Sequence, residues 1–315
     1  MNRDIDDPVT HASIPRRPLG RTGAAVSAIG LGGWHIGKVE QSDEDIVRLI
    51  RKAIDSGIDF MDNSWDYQEG RSETRMGRAL EDGYLEKVFL MTKVDGRDQR
   101  TAREQLNTSL QRLRTDHVDL LQVHEVIHDD DPERVFASGG AMEAVLEARD
   151  EGLTRFIGFT GHKSPEVLGR MLDLAEDVGI RFDTVQLPLN VMDWHFRSFE
   201  RELLPRLVKM GAGVLGMKAL GAGDIMGTNT VGPTECIHYA LSLPTSTVII
   251  GLDSMNVLDL TIDAGRTFRQ LSDEEMDALR DRTAAVAADG RFESYKITHQ
   301  HDSTVQNPQW LGPSR

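Results

Sequence analysis

The chain has 315 residues, 39% hydrophobic and 28% charged, with 36 Lys+Arg against 51 Asp+Glu and a formal net charge of −15. That is enough apolar material for one large domain or two smaller ones, and it excludes both a disulfide-stapled mini-protein and a disordered chain. The acidic balance argues against general nucleic-acid binding while leaving room for a local basic pocket, and the single Cys236 excludes an internal disulfide or a multi-thiolate metal site.

Residues 1–15 are expected to be flexible, with one domain over 16–315 whose last part, 289–315, is a tail. Arg16 and Arg17 precede Pro18 and polar residues, so no targeting segment is read there. No run approaches the ~18 apolar residues of a membrane span, and a cytoplasmic location is expected. The stretch 16–27 then predicts a short hairpin turning at Gly20–Gly23.

From residue 28 to 250, short apolar runs alternate with longer amphipathic ones. Eight runs predict strands: Ala28–Leu31, Ile58–Met61, Val88–Thr92, Val118–Val123, Phe156–Thr160, Thr184–Leu187, Gly213–Met217 and Thr247–Ile250. Most are apolar at consecutive positions, as strands buried on both faces must be. In the first helical segment Ile46, Val47, Ile50, Ala53 and Ile54 form one stripe between a Ser42 N-cap and a Gly57 stop. Thr101 and Glu104 predict a capping box before the stripe Ala102, Leu106, Leu110 and Leu113. Ser164 and Pro165 predict an N-cap followed by proline at the first helical position. Pro205 interrupts the sixth helical segment. Ser272 and Glu275 box the start of a last helix ending near Ala288.

Eight such units predict an α/β fold, a (β/α)₈ TIM barrel with an N-terminal β-hairpin, a C-terminal helix and a covering tail. The competing doubly wound sheet calls for a GxGxxG turn after the first strand. The stretch Gly30–His35 lacks its last glycine, and Gly221, Gly223 and Gly227 miss the spacing.

In a barrel, reactive groups collect where strands end on the C-terminal face. Asp62 follows the second strand, Lys93 the third and His124 the fourth, each 31 residues after the last, with Tyr67 in the loop after Asp62. A phenol is a poor acid at neutral pH. An adjacent ammonium, held by a carboxylate, would lower its pKa, and an imidazole would add a second hydrogen-bond donor. That set suits carbonyl reduction once hydride comes from a nicotinamide.

The segments FMDNSWDY (60–67), FLMTKV (89–94) and LLQVHE (120–125) resemble the three catalytic signatures of the aldo-keto reductase superfamily, in a similarity running from residue 16 to about 265. The resemblance implies an NAD(P)H-dependent oxidoreductase that reduces aldehydes or ketones, with Asp62, Tyr67, Lys93 and His124 as its tetrad and Tyr67 as general acid. The Thr160-Gly161-His162 sequence after strand five marks a bacterial-type branch, and these three residues are candidate cofactor contacts, Thr160 or His162 toward the carboxamide. Gln186 matches a glutamine that holds the nicotinamide carboxamide, and Met217 stands where a stacking tyrosine is common. Lys218, Leu220, Gly221 and Gly223 would lie along the pyrophosphate, although Lys218 reads equally as a solvated surface lysine. Gly33, Trp34, Asp62, Gly251 and Ser254 complete the candidate cofactor contacts.

NADP is the expected cofactor. Asp253, which would repel a 2′-phosphate, and Val257, where a phosphate-binding arginine is common, leave NAD as an alternative. Trp34, Trp65 and His124 are the substrate-side candidates, with Trp194, Tyr295 and Trp310 as further aromatics. No metal is expected: His299 and His301 have an H-x-H form but lie in the tail. The expected partner is a small carbonyl compound, with neither nucleic acid nor membrane. Two other readings are a nucleotide-binding redox-sensing regulatory subunit with slow turnover, and a metal-dependent barrel hydrolase.

Overall fold

The computed structural model describes residues 13–38 and 40–312. Most of the segment expected to be flexible, 1–12, lies outside the described residues. The hairpin consists of β1 (Arg16–Pro18) and β2 (Ala25–Ser27), antiparallel with Pro18 opposite Ala25. Its turn needs glycine at position 20: φ is +52°, and a Cβ there would sit 2.3 Å from the Gly213 nitrogen.

Eight parallel strands follow: β3 (Ile29–Gly32), β4 (Phe60–Asp62), β5 (Phe89–Val94), β6 (Val118–Val123), β7 (Thr154–Thr160), β8 (Thr184–Pro188), β9 (Gly213–Met217) and β10 (Thr247–Gly251). They close in chain order, with β10 paired to both β9 and β3. The two strands β6 and β9 have the bounds read from the sequence, and the others shift by one or two residues at one or both ends. Two of the shifts matter. Asp62 is the last residue of β4 and Lys93 lies within β5, because ladder pairing continues through Asp62 opposite Met91 and Lys93 opposite Gln122.

Helices between the strands pack their apolar stripes on the barrel. Ser42 caps Asp43–Asp55 by accepting from the Asp45 N–H, and Ser164 caps Pro165–Asp177. The Ser272–Glu275 box opens the final helix, Asp273–Ala287. The expected Thr101–Glu104 box is not formed. The helix starts three residues earlier, at Gln99, because Asp98 accepts from the Thr101 N–H and hydroxyl. Glu104 instead pairs with Arg100. Pro205 does not break a helix internally. The break falls at Leu203, and the proline sits in the first turn of Leu204–Met210, where its missing N–H costs nothing.

The main core lies between strands and helices, and each fully buried Leu or Ile there contributes about 1.5–3 kcal/mol. A second cluster fills the barrel, where Leu19 and Val26 of the hairpin meet Phe60, Phe89, Met91, Leu120, Leu215 and Ile249. Arg17 and Arg21 of the hairpin hydrogen-bond carbonyls of Leu241, Thr245, Phe182 and Met210. The N-terminal end of the barrel is thereby plugged, and the strands' C-terminal ends are left for a site. Among the described residues no helix is long and apolar enough to cross a membrane.

Candidate active site

At the C-terminal ends of β4, β5 and β6 the four expected residues meet. Lys93 is completely buried, and its ammonium donates to Asp62 Oδ1, to the Asn63 carbonyl at 2.8 Å and to the Tyr67 hydroxyl at 3.0 Å. The Tyr67 and His124 rings meet edge-on, with centroids 5.5 Å apart. The loop carrying Tyr67 is held tightly. Gln68, Glu69 and Gly70 take left-handed conformations in succession, and Arg112 donates to the Trp65 carbonyl at 2.7 Å.

The electrostatics differ from the sequence expectation in one respect. Burial, with the carboxyls of Asp62, Asp66, Glu125 and Asp95 around it, pushes the Tyr67 phenol well above its ordinary value. The Lys93 ammonium, 3.0 Å from the hydroxyl and bonded to Asp62, does not offset these effects. The phenol therefore keeps its proton, as a donor must before it acts. Burial also holds His124 neutral, down to about 3.

Three acids here were missed in the sequence, although each adjoins a residue that was singled out. Asp66 precedes Tyr67, Asp95 lies two residues after Lys93, and Glu125 follows His124. Asp95 Oδ1 is 2.8 Å from His124 Nδ1, while Asp66 Oδ1 is 3.5 Å away. Burial raises all three carboxyls, Asp95 to about 7 and Glu125 to about 8. The buried Arg97 braces the group: it pairs with Asp131 and donates to the Asp95 and Glu125 carbonyls at 2.8 and 2.7 Å.

The chain's end lies across this mouth. Thr304 donates its N–H to Glu125 Oε2 at 3.1 Å, Trp310 meets Trp65 edge-on at 5.1 Å, and the Arg97 N–H donates to the Trp310 carbonyl. The covering role read for the tail is thus seen, built from short helices at Ser294–Ile297 and Ser303–Gln306 and a 3₁₀ turn at Pro308–Leu311. Tyr295 is not a substrate-side residue. It is completely buried, donates to Glu293 Oε1 at 2.6 Å and accepts from Asn190 at 2.8 Å. The neighbouring Lys296, also buried, bonds Asp193 and Glu293. Trp194 packs beneath the Arg280 guanidinium of the final helix at 3.9 Å. Trp34 is 45% exposed, with the Lys38 ammonium 4.9 Å from its ring centroid.

The other cofactor candidates fall into two groups. Gln186 Oε1 is buried without a hydrogen-bond partner among the described residues, so it is an acceptor awaiting a donor such as a carboxamide NH₂. Lys218 is no solvated surface lysine. It is half-buried in a left-handed conformation with its ammonium 4.9 Å from the Tyr295 ring centroid. Burial lowers it to about 8. Met217 is half-buried at the end of β9, Leu220 accepts from the Gly223 N–H, and a side chain at Gly223 would meet open space. Ser254 caps Met255–Arg266, a helix with no acidic residue in its first turn.

By contrast, Gly33, Gly161, Gly221 and Gly251 are needed for internal packing. A Cβ on them would lie 2.6 Å from the Asp62 carbonyl, 2.4 Å from the Val126 carbonyl, 2.5 Å from Ile225 and 2.0 Å from the His35 ring. Thr160 is buried, and its carbonyl accepts from the Val126 N–H. His162 is already engaged, through Nε2, by Asp302 at 3.0 Å. His299 and His301 bond Asp302 and Ser294 separately and do not converge.

The family model described as "Aldo/keto reductase family" matches residues 28–235. L-galactose dehydrogenase of Arabidopsis thaliana is 30% identical over 221 residues, 67% of this chain and 66% of that protein. An aldo-keto reductase of Bacillus subtilis is 31% identical over 198 residues, 58% of this chain and 55% of that one. The matched stretch thus spans less than two thirds of these relatives' own length. In fold, the chain resembles the holo form of an aldo-keto reductase from Bacillus halodurans, with a TM-score of 0.72 at 20% identity, covering 86% of this chain and 96% of that one. With its closed barrel, its buried Asp–Lys–Tyr–His cluster and a family match over most of the barrel, this chain belongs to the aldo/keto reductase family.

Proposed function

We propose that this chain is an NAD(P)H-dependent oxidoreductase that reduces aldehyde or ketone carbonyls to alcohols. The observation that carries the reading is the Lys93 ammonium shared between Asp62 and Tyr67, with the phenol held neutral beside His124. A bound reduced nicotinamide supplies the hydride. Tyr67 donates its proton to the carbonyl oxygen as negative charge develops there, and Lys93 stabilises the phenolate left behind. Asp62 holds Lys93 charged and in place. His124 orients the carbonyl oxygen by a hydrogen bond.

Gln186, through its unpartnered oxygen, would take the carboxamide of the nicotinamide. Lys218 would face the pyrophosphate, and the Ser254-capped helix N-terminus would face the adenosine end. NADP is the proposed cofactor, with NAD use tested beside it. Trp34 and Trp65, which follow β3 and β4, would flank the mouth and suit a substrate with a ring or apolar portion.

The test has two parts. Tryptophan fluorescence titrated with NADPH and NADH reads cofactor binding and preference. Turnover of aromatic and aliphatic aldehydes, compared with Tyr67→Phe, reads catalysis. Wild-type rates no higher than that variant's would overturn the enzyme reading and favour a nucleotide-binding regulatory subunit.

A further inference from the structure

His124 has two ring nitrogens, and the described residues engage one of them. Around Nδ1 stand Asp95 Oδ1 at 2.8 Å, Ser64 Oγ at 3.2 Å and Asp66 Oδ1 at 3.5 Å. The Ser64 hydroxyl donates to Asp66 Oδ1 at 2.7 Å, so its hydrogen is committed elsewhere. A bare Nδ1 then has Asp95 as its near donor, and a protonated Nδ1 has Asp95 as its near acceptor. A neutral imidazole carries one hydrogen, so whichever state Nδ1 takes, Nε2 takes the other.

We infer that Asp95 is a positioning residue for the proposed reaction: its carboxyl, seated against Nδ1 of His124, sets by its own protonation whether Nε2 offers a hydrogen to a carbonyl oxygen or accepts one from an alcohol. This rests on the carbonyl-reductase reading above. With Asp95 protonated, its hydroxyl donates to a bare Nδ1, and the hydrogen sits on Nε2, the arrangement reduction needs. With Asp95 ionised, it accepts from Nδ1–H, and Nε2 is a bare acceptor, suited to an alcohol.

The surroundings allow both states near neutrality. Asp95 is completely buried, and its Oδ2 has no hydrogen-bond partner among the described residues, which favours the uncharged form. Its backbone is clamped: Gln105 Oε1 accepts from the Asp95 and Gly96 N–H groups, both at 2.8 Å. The groups facing it are Asp66 and Tyr67 from the loop after β4, Lys93 and Arg97 from its own segment, and His124 and Glu125 from just after β6, with Asp62 and Asp131 bonded to the two cations. The two cations are already engaged, Lys93 with Asp62 and Arg97 with Asp131. Burial, opposed by these cations, places the Asp95 carboxyl at about 7.

The test uses the full chain with ring-nitrogen-labelled histidine, followed by NMR over roughly pH 5.5 to 8.5, where imidazoles and perturbed carboxyls titrate. The His124 signals are assigned by their loss in His124→Gln. In wild type the hydrogen should move from Nε2 to Nδ1 as pH rises through the middle of that range, and Asp95→Asn should hold one tautomer throughout. Reduction kcat/KM should fall about tenfold per pH unit above the Asp95 titration, and Asp95→Asn should lack that limb. A wild-type His124 tautomer that never changes overturns the inference, a result that needs no variant to fold. So does a pH limb unchanged in Asp95→Asn, or stoichiometric zinc in wild type that is lost in that variant. A tautomer change without turnover of any aldehyde retains the Asp95–His124 pairing and removes the reductase reading.

Discussion

Asp302, near the end of the chain, accepts a hydrogen bond from Nε2 of His162, which lies two residues beyond β7. The same carboxylate takes Lys163 Nζ at 2.6 Å and His299 Nδ1 at 2.8 Å. Burial alone would raise Asp302, but the bonds from His162 and Lys163 outweigh it and hold the carboxyl well below the usual carboxylate range. One residue thus ties the covering segment to the barrel. Asp302→Ala should destabilise the protein by about 2–4 kcal/mol, the scale for breaking a buried charged network. It should also expose 299–312 to limited proteolysis. An unchanged melting temperature and cleavage pattern would show that the segment is held elsewhere, at Tyr295 and Lys296.

Lys93→Met leaves Asp62 buried without its cation. A loss of about 3–5 kcal/mol is expected in denaturant unfolding, together with loss of turnover. Wild-type stability in this variant would mean that the Lys93–Asp62 pair adds nothing to the stability of the fold.

Tyr67→Phe removes the hydroxyl 3.0 Å from Lys93 and leaves the ring packing on His124. Reductase turnover is expected to drop on the order of 10²–10⁴-fold, the usual share of a positioned proton donor. Nucleotide affinity, read by fluorescence, should stay within about twofold. Equal loss of both would remove Tyr67 from the donor role.

Lys218→Met tests which phosphate this lysine faces. A pyrophosphate contact is common to NADPH and NADH, so both affinities should weaken by a similar factor, about tenfold for one charge-assisted bond. Weakening confined to NADPH would move Lys218 to the 2′-phosphate.

Stability should fall between about pH 6.5 and 8. Asp95 and Glu125 have folded values raised to about 7 and 8, so between their unfolded values and these the folded state binds more protons. Their contribution is complete below the unfolded values and is lost as pH rises. Burial depresses His124 and His162 to about 3, which acts oppositely: that stability is full above about 6.5 and is lost as pH falls. Above 6.5 the acids therefore dominate. Glu125→Gln should flatten the decline in melting temperature by a few degrees, corresponding to about 1–3 kcal/mol.

The strand order and the four central site residues were legible because the signals were local. A strand buried on both faces must be apolar throughout, so Asp62, Lys93 and His124 stand out at the strand ends. The fault at Thr101 was also local in kind: serine, threonine and aspartate all cap helices, and only geometry decides that Asp98 does so here.

The amino-acid sequence by itself determined the barrel, its N-terminal hairpin and the meeting of Asp62, Tyr67, Lys93 and His124, because hydrophobic periodicity and turn chemistry are written within each unit. Only the tertiary structure decided how protons are held there. Asp66, Asp95 and Glu125 are ordinary carboxylates in a list of residues. Their carboxyls are raised because folding buries them together, with Lys93 and Arg97 engaged by Asp62 and Asp131. The same holds for the tail: its partners Asn190, Asp193, His162 and Glu125 lie on three different barrel units, and nothing in its own sequence marks them.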